Sequence, residues 1–128
     1  MRLYVDTNIL LVGLTADPDE IELSTHISIS HGQGNSFISS VLTAVEIDRV
    51  LRRAGDSYTQ VTPTLLHGID LLSITPRVVD LARSFPVRYL KTLDALHLAT
   101  ALLSNCDAVM TLDQQFARAC KDVGLAVA

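Results

Sequence analysis

The chain is short of cysteine, of charge and of long apolar runs, and each shortage removes a class of protein. Its two cysteines, Cys106 and Cys120, stand far from any CxxC pairing, so a disulfide scaffold is not expected. They read as two reduced, partly buried thiols of a cytoplasmic protein. No stretch approaches the ~18 apolar residues of a membrane span. The N-terminal run "ILLVGL" is six residues long and Asp6 interrupts the segment before it, which excludes a signal peptide. There is no collagen-like, proline-rich or low-complexity segment and no internal repeat. Base is also in short supply. Ten Lys and Arg face fourteen Asp and Glu, for a net charge of −4, so the chain as a whole is no obvious nucleic-acid binder.

What remains is apolar. Hydrophobic residues make up 48% of 128 residues and charged residues 19%, which argues against disorder and for one domain, residues 1–128, whose sheet is buried on both faces. The charge is uneven. "DPDEIE" at residues 17–22 holds four acids and no base, whereas residues 77–91 hold Arg77, Arg83, Arg88 and Lys91 against Asp80 alone. Arg49, Arg52 and Arg53 form a second basic group, and local patches of this kind bind phosphate even on an acidic protein.

Strand and helix signals alternate along the chain. "RLYVD" predicts a central strand, followed by a short helix in "TNILLVGL". A helix opening at Asp17 and Pro18 and a loop at "HGQGNS" come next. "SFIS" is a second strand. "SVLTAVEIDRVLRRA" is a helix capped by Ser39 or Ser40 and stopped at Gly55, with Val41, Ala44, Val45, Val50 and Leu51 as core candidates. Residues 56–68 carry the weakest signal, with a short helix around "PTLLHG". "IDLLSI" is a third strand, and "TPRVVDLARSF" is a helix capped by Thr75 with Pro76 at its first position. The long apolar helix "TLDALHLATALLSN" follows, then the strand "DAVMTL", the helix "DQQFARACKDVG" and a fifth strand in "LAVA". This order implies an α/β/α sandwich with a parallel sheet, whose ligands gather at the carboxyl ends of the strands.

Four acids fall at that rim. Asp6 ends the first strand and Asp113 follows the fourth. Asp94 opens a helix antiparallel to the strands, so its N-terminus lies at the same edge, and Glu46 sits ~9–10 Å into the helix after the second strand. Taken singly, Asp6 and Asp113 are ordinary helix caps, Asp94 is an acid favoured by a helix dipole, and Glu46 is a solvated helical residue. Their joint convergence is not ordinary, because two carboxylates ~4 Å apart repel by about 4 kcal/mol at an effective dielectric of ~20. A cation that neutralises such a cluster of oxygen donors is Mg²⁺ or Mn²⁺ rather than zinc, and the histidines at 26, 31, 67 and 97 show no HxH or HxxxH spacing. His97 shares a face with Asp94 and Leu98 and reads as a packed histidine bonded to a neighbour, not a ligand.

Together "YVDTNIL", "AVEIDRVLRR", "LKTLDALHLATAL" and "VMTLD", in this order over nearly the whole chain, resemble the PIN domain, and more narrowly the VapC-type ribonuclease toxins of toxin–antitoxin pairs. The resemblance implies a sheet of about five strands and a Mg²⁺- or Mn²⁺-dependent endoribonuclease with one or two ions, leaving a 5′-phosphate and a 3′-hydroxyl. It implies Asp6, Glu46, Asp94 and Asp113 as the catalytic and metal-holding set. Asn8 would orient the carboxylates, and the Thr111 hydroxyl would support Asp113 or a metal-bound water. RNA phosphates would meet Arg88 and Lys91 or Arg49, Arg52 and Arg53. The implied partners are RNA, a VapB-like antitoxin and a second copy of the chain. The alternatives are a PIN nuclease of RNA processing and a non-catalytic interaction module on the same fold. Phosphatase and receiver chemistry are disfavoured, because "DTNIL" lacks DxDxT and "LLSIT" lacks a phosphoacceptor aspartate.

Overall fold

The unbroken apolar runs of the strands are explained by what covers them. A computed structural model of the chain describes residues 1–12, 33–55 and 61–128. The helix expected from Asp17 onward, the acidic run 17–22, His26 and His31 lie outside the described residues. The sheet is parallel throughout, with β1 (Arg2–Val5) and β2 (Ser36–Ser40) at its centre, β3 (Ile69–Leu72) beside β2, and β4 (Ala108–Met110) beside β1. Its register pairs Tyr4 with Ile38 on one side and with Val109 on the other. Successive strand residues point to opposite faces. Leu3, Val5, Phe37, Ala108 and Met110 therefore join one core, and Tyr4, Ile38 and Val109 the other.

Helices supply the outer layers. The first core takes Ile9 and Leu10 from α1 (Thr7–Leu11) and Ile47 and Leu51 from α2 (Val41–Ala54). The second takes Leu98 and Ala101 from α5 (Thr92–Leu103) and Phe116, Ala119 and Cys120 from α6 (Gln114–Asp122). Two further helices, α3 (Thr62–Leu65) and α4 (Pro76–Ser84), pack mainly on α2 and α5 respectively. This is the α/β/α sandwich expected, and α3 is the short helix anticipated within residues 56–68. Cys106 and Cys120 are both free thiols. No helix among the described residues is long and apolar enough to cross a membrane.

Two expectations need correction. "LAVA" is not a fifth strand but a single bridge, in which Val109 donates to the Ala126 carbonyl and accepts from the Ala128 amide. Backbone groups of a parallel strand face alternate neighbours, so three-residue β4 turns only Val109 outward. The core face of α2 is also rotated from the one expected. Leu51 is buried as expected, but Val41, Val45 and Val50 are exposed and Ala44 is half-buried, and Thr43 and Ile47 point inward instead. The cause is a buried hydroxyl cluster. Ser39 Oγ donates to the Val5 carbonyl (2.7 Å) and pairs with Thr43 Oγ1 (2.7 Å), which also accepts from the Thr7 hydroxyl (3.3 Å). A threonine whose hydroxyl is satisfied takes the place that hydrophobicity alone assigns to a valine.

The helix starts follow local chemistry. Ser40, not Ser39, caps α2 by accepting from the Leu42 amide, and Thr75 caps α4 with Pro76 at the first position. Gly55, at φ 144°, closes α2 in a conformation that a side chain would strain.

Candidate active site

Asp6 stands where β1 becomes α1, and its amide still donates to the Met110 carbonyl of β4. Its carboxylate is held on both oxygens. Oδ1 accepts from the Thr7 amide (2.8 Å), while Oδ2 accepts from Asn8 Nδ2 (3.1 Å) and the Thr111 hydroxyl (2.7 Å). All three donors are neutral. Asn8 reaches across the rim as well, accepting from the Leu112 amide at 3.1 Å. Asn8 and Thr111 thus tie the β1–α1 turn to the β4–α6 turn. The Thr111 hydroxyl reaches both acids: it accepts from the Asp113 amide (3.0 Å) and also donates to the Asp6 carboxylate.

Asp113 caps α6, with Oδ1 accepting from the amides of Gln115 (2.9 Å) and Phe116 (3.1 Å). Glu46 is bonded through Oε1 to His97 Nε2 at 2.5 Å, and His97 Nδ1 lies 2.6 Å from the Tyr4 hydroxyl. His97 is the packed, partnered histidine expected. Asp94 sits in the first turn of α5, a helix whose N-cap, Lys91, makes no side-chain cap. Its half-buried carboxylate accepts no hydrogen bond and pairs with no cation among the described residues.

The charges of the four acids meet at this rim. Burial pushes the Asp94 carboxyl above its ordinary value, and the charges of Asp113, Asp6 and Glu46 push the same way, against His97. Asp6 is pushed up as well, by burial first and by Glu46 among the rest, while the Thr111 bond opposes it. The structure therefore draws Asp6, Glu46, Asp94 and Asp113 into one electrostatic neighbourhood. It does not close them into a cage, since among the described residues no three acids or histidines stand close enough to grip one ion. The donor set nonetheless fits a hard divalent cation: it is built of oxygens, partly desolvated, and among the described residues paired with no Lys or Arg.

The basic residues stay outside this group. Arg49, Arg52, Arg53, Arg88 and Lys91 are all exposed. Arg53 Nε bonds back to the Arg49 carbonyl, and Lys91 lies three residues before Asp94. Tyr4 was missed from sequence. A tyrosine inside a buried strand must place its hydroxyl on a partner, and that requirement could have flagged it.

A parallel α/β/α sandwich with acids gathered at the carboxyl ends of β1 and β4 is the class of protein that the fold and the site define. The sequence model of the PIN domain matches residues 3–122, and the chain belongs to that family. It is 35% identical over 129 residues to Ribonuclease VapC47 of Mycobacterium tuberculosis (strain CDC 1551 / Oshkosh), covering 98% of this chain and 95% of that protein. It is 32% identical over 127 residues to Ribonuclease VapC46 of Mycobacterium tuberculosis (strain ATCC 25618 / H37Rv), with the same coverage of 98% and 95%. Among solved structures, a chain of VapBC2 from Rickettsia felis, bound to a DNA fragment from their promoter, shares the fold at TM-score 0.77 and 14% identity, over 100% of this chain and 98% of that one. A chain of a toxin–antitoxin complex from Klebsiella pneumoniae does so at TM-score 0.68 and 20% identity, over 98% and 96%.

Proposed function

We propose that the chain is a divalent-metal-dependent endoribonuclease and the toxin of a VapBC-type pair, acting in the cytoplasm. The observation that carries the metal is Asp94, a half-buried carboxylate with no bonded partner among the described residues, raised in pKa by burial and by three neighbouring acids. The VapC names of its relatives support RNA as substrate and a VapB-like antitoxin as partner. A homodimer accompanies this reading.

Asp6, Glu46, Asp94 and Asp113 would hold one or two Mg²⁺ or Mn²⁺ ions. Such an ion lowers the pKa of bound water and offsets charge on the phosphate under attack. Asp6 is the fixed member, immobilised by Thr7, Asn8 and Thr111. Asp94 is carried on the first turn of α5, and its carboxylate accepts no hydrogen bond among the described residues. Arg88 and Lys91, exposed and just before Asp94 in the chain, would steer the phosphate chain, or exposed Arg49, Arg52 and Arg53 on α2 would do so. The test is cleavage of RNA by purified protein with Mn²⁺ or Mg²⁺. Asp94→Asn, which keeps the size and removes the charge, is expected to abolish it. Cutting at the parental rate by that variant would overturn the reading.

A further inference from the structure

The acid on α2 is held from the far side of the sheet. Tyr4 on β1 and His97 on α5 are both fully buried, and their rings meet edge to face at 6.0 Å between centroids. A buried phenol needs an acceptor, and His97 Nδ1 lies 2.6 Å from the Tyr4 hydroxyl, with the Ser39 hydroxyl as its second neighbour. With Nδ1 accepting from the Tyr4 hydroxyl, the imidazole carries its own hydrogen on Nε2. Nε2 in turn donates to Glu46 Oε1. One hydrogen bond sets the tautomer and ring orientation for the next.

We infer that His97, locked by Tyr4, is a positioning residue that presents Glu46 to the metal site. This rests on the metal-dependent reading above. Glu46 is a long side chain, and its other partners at the rim repel it. With Oε1 tied to His97, Oε2 of the partly exposed side chain is left with no bond to a described residue. His97 also lies three residues beyond Asp94 on α5, which places the two on neighbouring positions of one helix face. The same helix thus carries one acid and braces another. Loss of such an outer support typically weakens metal binding about 10–100-fold.

The test compares the full-length parent with Tyr4→Phe, His97→Gln and His97→Leu, using Mn²⁺ alone as the probe and electron paramagnetic resonance of free Mn²⁺ as readout. Tyr4→Phe keeps the ring and removes only the hydroxyl. It is expected to weaken Mn²⁺ binding about tenfold and to lower kcat with KM for RNA unchanged. His97→Gln keeps a donor near the Nε2 position and should bind Mn²⁺ more tightly than His97→Leu. A residue that merely filled space would give the opposite order, because Leu suits an apolar site better than Gln. If the parent binds Mn²⁺ and Tyr4→Phe matches it within twofold, the positioning role is wrong while the metal reading stands. A parent that binds no Mn²⁺ at all removes both.

Discussion

Thr111→Val isolates the bond that holds Asp6. The change keeps the shape of the side chain and deletes one hydroxyl, which donates to Asp6 Oδ2 at 2.7 Å and accepts from the Asp113 amide at 3.0 Å. A hydrogen bond to a charged group is worth ~1.5–3 kcal/mol, and the site is only partly buried, so about 2 kcal/mol of stability should be lost. Unfolding entropy of ~2.1 cal/mol/K per residue amounts to about 0.27 kcal/mol/K for a chain of 128 residues, so Tm should fall by roughly 7 °C in metal-free buffer at pH 7. The sign of the pH dependence follows from Asp6. Its carboxyl already ionises above the ordinary value of 3.8 because it is buried, and the Thr111 bond is the largest influence opposing that rise. The bond favours the ionised form, so its contribution is present above the folded-state pKa of Asp6 and lost as pH falls through it. Differential scanning calorimetry of both proteins from pH 7 toward pH 4 should show the gap narrowing. In an Asp6→Asn background, Thr111→Val should cost clearly less. A Tm loss under 2 °C at pH 7, or a loss that does not change as Asp6 is protonated, would refute the assignment of Thr111 as the support of an ionised Asp6.

Three further outcomes bear on the rest of the molecule. Asp94→Asn should raise the Tm of the metal-free protein at neutral pH while abolishing RNA cleavage. A carboxyl whose folded pKa is raised destabilises the fold once ionised, so the gain should shrink toward pH 4; a lower metal-free Tm at pH 7 would contradict the electrostatics. Mn²⁺ at 100 times its Kd should stabilise the parent by about 2.7 kcal/mol, visible as a Tm rise of roughly 10 °C that Asp94→Asn largely loses; an unchanged parental Tm in Mn²⁺ would count against a metal site. Leu98→Ala, in the core between α5 and the sheet, should cost about 2–5 kcal/mol by urea unfolding. A cost under 1 kcal/mol would mean that α5 is not anchored there.

The layers of the fold were legible because a doubly covered parallel strand has no polar face to confuse the pattern. "LYV" and "AVM" are buried at every position, and helix starts at Ser40, Thr75 and Asp113 announce themselves by chemistry within a residue or two. Rotation about a helix axis was not legible. Val45 and Thr43 differ by half a turn, and what decides between them is a bond from Thr43 to Ser39 and from there to the Val5 carbonyl. That is a three-dimensional fact about β1 and β2, invisible to a hydrophobic count along α2. The acids were legible as a set through topology alone, since strand ends and one antiparallel helix deliver them to a common edge. Their partners were not. The Tyr4–His97–Glu46 chain joins residues 4, 97 and 46, and no local spacing encodes it.

The capping role and the functional role of these acids are not rivals. Asp6 and Asp113 both cap helices, and the cap is what aims each carboxylate, because an N-cap side chain is pinned to the first turn beside it. Asp94 lies three residues after the N-cap of α5 and accepts no bond from it. An isolated helix would gain from a Ser, Thr or Asp at position 91, yet Lys91 stands there and α5 begins without a side-chain cap. The amides of the first turn and the positive end of the helix then act on Asp94 without consuming its oxygens. Such a helix start is weaker as a start and better as a mount. Lys91→Asp would restore a cap, and it would also add a fifth negative charge beside a carboxylate already raised in pKa by three others. It should therefore stabilise the metal-free protein by less than the ~1 kcal/mol typical of a new cap, or destabilise it, with the shortfall recovered when Mn²⁺ is added. A full capping gain in metal-free buffer, measured by thermal unfolding, would show that the rim carries less negative charge than its four acids imply.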